Sequence, residues 1–75
     1  MSYNGHPSQR LWNLALWMGN DEGLYRLAKE AIRGTRNRKQ AAERFVSALA
    51  EAGITETPDG YRWTVSGAQH AMRGL

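Results

Sequence analysis

Ile54-Thr55-Glu56-Thr57-Pro58-Asp59-Gly60-Tyr61-Arg62-Trp63-Thr64-Val65 decides how this chain is read, because the apolar period changes here. Tyr61, Trp63 and Val65 alternate with Arg62 and Thr64, whereas upstream the apolar residues recur at helical spacing. Alternation sends successive side chains to opposite faces of a strand. Asp59-Gly60 is a strong signal for a two-residue hairpin turn, with positive φ at the glycine. A turn centred there pairs Ile54 with Val65 and Glu56 with Trp63. Pro58 then lies beside the turn, where its missing N–H matters least. The stretch predicts a β-hairpin and an α+β fold.

Working upstream, Ala42, Phe45, Val46 and Leu49 form the stripe of a helix opened by Thr35 or Asn37. Gly53 suits its C-terminal cap, with Ile54 as the usual apolar contact beyond. Leu24, Leu27, Ala28, Ala31 and Ile32 predict an amphipathic helix over residues 21–33, capped by Asn20 or Asp21 and ended by Gly34. Leu11, Leu14, Ala15 and Met18 predict a helix over 9–18, with Ser8 as N-cap and Gly19 beyond its end. Trp12 and Leu16 flank that stripe, so the helix should sit centrally. Residues 1–7 read as an irregular arm. Downstream, Ser66-Gly67-Ala68-Gln69 has capping-box spacing and predicts a short last helix to Arg73. The whole is one mainly helical domain over residues 1–75: three helices, one hairpin and a short terminal helix. Leu24, Leu27, Ile32, Phe45, Val46 and Leu49 are the expected core of the middle helices, with the aromatic residues supplying much of the buried area.

Composition sets limits. A chain of 75 residues buries only about 60 % of its unfolded surface. With no cysteine it has neither disulfide nor thiolate metal site. No apolar run approaches the roughly 20 residues of a membrane span. The first residues lack the layout of a signal peptide, so the expected location is the cytoplasm. The net charge is +3, unevenly spread. Between Arg26 and Arg44 seven cations face only Glu30 and Glu43, an excess of five, which leaves the rest of the chain at −2. One corner should be basic and the remainder neutral to acidic.

No grouping supports catalysis or a metal. His6 and His70 lie near opposite ends, and neither has a ligand partner at metal spacing. Asp21-Glu22 suits a helix N-terminus better than a carboxylate pair, since adjacent helical residues do not face each other. No cofactor is expected, and no glycine-rich phosphate loop is present. The sharpest candidate is Arg33-Gly34-Thr35-Arg36-Asn37-Arg38-Lys39. Basic side chains beside a helix N-terminus suit phosphate oxygens. The plain alternative is a solvated loop, but Arg38 and Lys39 would oppose the dipole of the helix they begin. The candidate partner-binding residues are Arg33, Arg36, Arg38, Lys39 and Arg44. Trp12, Trp17 and Trp63 could stack on bases, although core packing suits all three better.

Two resemblances bear on function. Helix, glycine, helix and hairpin from Asp21 to Val65 resemble a winged helix, in which the second helix reads the major groove and the hairpin touches backbone. That order implies a DNA-binding transcriptional regulator, although Glu43 and Glu51 on the reading helix are unhelpful. Tyr3-Asn4-Gly5, then Trp12-Asn13-Leu14-Ala15-Leu16-Trp17, then Asn20-Asp21-Glu22-Gly23-Leu24-Tyr25 resembles a family of small proteins of phages and other mobile elements. The resemblance covers residues 3–30 and departs from the pattern at Arg10-Leu11. It brings no catalytic residues. It implies a short accessory protein acting by binding, as anti-CRISPR and antirestriction proteins do. The leading expectation is a non-enzymatic inhibitor of a host defence ribonucleoprotein or protein complex, with a CRISPR effector foremost. A DNA-binding regulator is the alternative, and a small enzyme a distant third.

Overall fold

A computed structural model describes residues 8–75. The irregular arm expected at residues 1–7 lies outside them. Four helices form: α1 (Gln9–Asn20), α2 (Glu22–Arg33), α3 (Arg38–Glu51) and α4 (Val65–Ala71), followed by a 3-10 turn, Met72–Gly74. Each helix packs on two others, α1 and α3 both lying against α2 and α4.

Local chemistry sets the helix ends. Ser8 accepts from the Leu11 N–H, Asp21 from Leu24 and Asn37 from Gln40, so each cap satisfies an N–H that has no partner within its helix. Helix α1 runs through Gly19 to Asn20, and Asp21 ends it while starting α2. The α3 C-terminus is a Schellman motif: Gly53 has φ +79°, its N–H bonds Ala50 O, and the Ile54 N–H bonds Leu49 O at 2.8 Å.

The core is built from small residues around a few large ones. Leu14, Met18, Phe45 and Met72 are the largest fully buried side chains. Ala28, Ala31, Ala41, Ala42, Ala68 and Ala71 fill between them. Phe45 meets Trp63 edge to face, ring centroids 5.2 Å apart. Phe45 and Leu49 are buried as expected, whereas Leu24, Leu27, Ile32 and Val46 are half-buried at the margin. Of the aromatic residues, Phe45 and Trp63 belong to the buried cluster, Trp17 and Tyr61 pack against it half-buried, Trp12 is half-buried and Tyr25 is exposed. Helices α1 and α4 approach closely at Gly67, where a Cβ would strike Leu14 Cδ1.

The β-hairpin does not form, and the α+β expectation is corrected to an all-helical domain. Among the described residues there is no strand, only an isolated antiparallel bridge between Glu56 and Arg62. The chain does reverse at Asp59-Gly60. Thr57 O accepts from the Gly60 N–H at 2.8 Å, Pro58 occupies the second turn position, and Gly60 has φ +92°. The loop is wider than two residues, because the Thr57 N–H bonds Tyr61 O. Glu56 therefore opposes Arg62 rather than Trp63. The ladder stops because the Thr64 hydroxyl accepts from the Gly67 N–H at 3.0 Å and caps α4, drawing Val65 into the helix. Thr64 takes the capping role expected of Ser66. The winged-helix order falls with the hairpin, since no wing remains.

Candidate functional site

The α2–α3 junction forms the basic corner. Gly34 ends α2 in a right-handed conformation. The Thr35 hydroxyl donates to Ala31 O at 3.0 Å, tying the connection back to α2. Asn37 then caps α3, whose first turn carries Arg38 and Lys39 and no acid. All five expected residues, Arg33, Arg36, Arg38, Lys39 and Arg44, are exposed. Their surroundings differ. Arg36 and Arg38 share a shallow depression with Ile32, Thr35, Asn37 and Ala41. Arg38 also donates to the Leu75 carbonyl at 3.2 Å. Arg44 turns back to α2, its Nη1 close to where a Cβ on Gly34 would lie. Arg33 lies instead with Tyr25, Arg26, Lys29 and Glu30 on the outer face of α2. Lys39 lines none of these depressions. The corner is thus a cluster of exposed cations spread over several depressions: Arg36 and Arg38 share one, and Arg44 lines another with Gln40, Glu43 and Glu51. The ion pair among the described residues, Arg26 with Glu22, leaves these five without an Asp or Glu partner.

A second site was not anticipated. On α1, Asn13 and Trp17 stand one turn apart, and both donate to Asp59 Oδ2, at 2.7 and 2.9 Å. The buried Thr57 hydroxyl donates to Asn13 Oδ1 at 2.8 Å and accepts from the Tyr61 N–H. This clasp fastens the 55–63 loop onto α1. The hydrogen bond from Asn13, followed by that from Trp17, holds the Asp59 carboxyl below its ordinary value of 3.8. The Trp12-Asn13…Trp17 motif thus acts structurally, through Asn13 and Trp17. The four-residue spacing of Asn13 and Trp17 was a visible signal, but their shared acceptor lies 42 positions beyond Trp17.

Beside the clasp lies a cleft of about 630 Å³, walled by α2, the end of α3 and the loop. Leu24, Leu27, Leu49, Ile54, Pro58 and Trp63 give it apolar walls, and Asp21 and Glu56 line it with no cation. Trp63 is 4 % exposed, too buried to stack on a base. No group of His, Asp or Glu among the described residues has a metal-binding arrangement. No helix there is long and apolar enough to cross a membrane.

A family of unknown function, DUF7249, matches residues 1–71. The chain belongs to that family. No curated protein matches it, and no solved structure does. Membership in DUF7249 assigns no activity, so functional inference rests on the corner and the cleft.

Proposed function

We propose that this DUF7249 protein is a non-enzymatic binding protein that inhibits a host defence complex, foremost a CRISPR effector, in the bacterial cytoplasm. The observation that carries the reading is the exposed basic corner at the α2–α3 junction, its cations without Asp or Glu partners among the described residues. Arg38 and Lys39 oppose the dipole of α3, each such placement costing roughly 0.3–1 kcal/mol. Arg38 recovers a bond to the Leu75 carbonyl, but Lys39 brings folding no hydrogen bond or ion pair among the described residues, whereas an acidic or phosphate-bearing partner gains from it. Its cations are spread over separate depressions rather than converging on one, which suits docking on a large surface better than enclosing a small substrate.

A DNA-binding regulator is the second reading, favoured by one observation. Four residues, 34–37, join α2 to α3, and the first turn of α3 exposes Arg38, Lys39 and Gln40. In helix-turn-helix proteins the start of the second helix meets base edges. Glu43 and Glu51, exposed on the same helix, weigh against it.

Titration of the protein into purified CRISPR ribonucleoproteins of several types, with target-DNA cleavage as the readout, tests the first reading. Loss of cleavage by at least one type is expected, with random duplex bound no tighter than about 10⁻⁴ M at physiological salt. Unimpaired cleavage throughout, together with salt-sensitive duplex binding tighter than that limit, would replace it with the second.

A further inference from the structure

The acidic, apolar cleft shares no lining residue with the depression holding Arg36 and Arg38, and meets the one lined by Arg44 only at Ala48. We propose that it is a separate peptide-binding site, which takes a short segment presenting bulky aliphatic side chains beside Lys or Arg. At about 630 Å³ it falls within the roughly 300–1,000 Å³ of ligand pockets. Folding has left apolar surface open: Ile54 is 40 % exposed and lines the cleft with Leu24 and Leu27, both half-buried. The Schellman motif sets the Ile54 backbone, and the clasp of Asn13, Thr57, Trp17 and Asp59 holds the far side.

Charge chooses the occupant. Asp21 and Glu56 line the cleft, both exposed, and neither is in an ion pair. No cation lines the cleft; on α2, Arg26 pairs with Glu22 and the Lys29 ammonium sits 5.7 Å from the Tyr25 ring centroid, and Arg44 lines the adjoining depression beside Glu43 and Glu51. An apolar segment carrying acids would meet two carboxylates without compensation, whereas one flanked by cations would be held by both. Apolar contact gives affinity here and the carboxylates give selectivity.

The test uses acetyl-Lys-Leu-Leu-Lys-amide as probe, with Glu-Leu-Leu-Glu and Lys-Ser-Ser-Lys counterparts, followed by amide and indole NMR shifts of the full chain. Saturable shifts are expected at Leu27, Ala52, Ile54 and the Trp63 indole, with affinity about tenfold or more above either counterpart. Two variants locate the site. Asp21→Asn with Glu56→Gln keeps a good helix cap while removing both charges, and it should abolish the preference over the Glu peptide. Ala52→Trp, at an exposed lining position, should block binding with native shifts elsewhere. Shifts confined to the basic corner, equal response to all three peptides, or no saturable response would overturn the proposal. Concentration-dependent self-association removed by Ala52→Trp would do so as well, by making the cleft an interface between copies.

Discussion

Asn13 and Trp17 donate to the same oxygen of Asp59, and Asn13 also accepts from Thr57, so one buried amide on α1 holds two residues of the loop. Asn13→Ala leaves the buried Thr57 hydroxyl without its acceptor. The expected loss is roughly 1–3 kcal/mol in urea unfolding, and one below about 0.5 kcal/mol would show that the clasp is ornamental. Asp59 adds a pH dependence. Its carboxyl binds protons less tightly when folded, so its contribution is complete above 3.8 and is lost as pH falls through the lower folded value. Wild-type protein should exceed Asp59→Asn in stability at neutral pH, and the gap should close below about pH 4. A gap that persists at pH 2 would contradict this. The spacing of Asn13 and Trp17 was legible from sequence but their acceptor was not, because the partners are 42 to 46 residues apart and only packing of the loop on α1 brings them together.

At the scale of elements, helices were legible because caps and apolar stripes agree. Ser8, Asp21, Asn37 and Gly53 act at the ends expected from their chemistry. The hairpin was misread for a physical reason. Alternation at Tyr61, Arg62 and Trp63 is real: Trp63 is buried, Arg62 exposed and Tyr61 half-buried. Extended chain needs only inside–outside placement to alternate, whereas a strand also needs a partner ladder. Here the ladder ends at one bridge, because Thr64 caps α4. Gly60→Val should cost roughly 1–3 kcal/mol, since a β-branched residue resists φ +92°. Leu49→Ala, at a position 2 % exposed, should cost roughly 2–5 kcal/mol, read from the denaturation midpoint. Lys39→Glu replaces a cation in the first turn of α3 and should raise stability by roughly 0.3–1 kcal/mol at low salt. An unchanged midpoint there would remove the dipole argument for a binding role.

At the scale of the whole molecule, opposite chemistries occupy different parts of the surface: a basic corner where α2 meets α3, and an apolar cleft with two carboxylates. The corner was visible as a local excess of cations. The cleft was not, because Leu24 and Leu27 read as ordinary core positions and Ile54 as a helix-end contact paired with Val65. The corner should act through its field, so charge removal should slow association most at low salt. The most direct measurement is the plating of a CRISPR-targeted phage on bacteria carrying a matching effector and expressing this protein. Wild-type protein should restore plating. A variant with Arg33, Arg36, Arg38 and Lys39 all changed to Ala should not, although its helical circular dichroism and unfolding midpoint are retained. Equal restoration by that folded variant, or none by the wild-type protein against any effector type, would contradict the account.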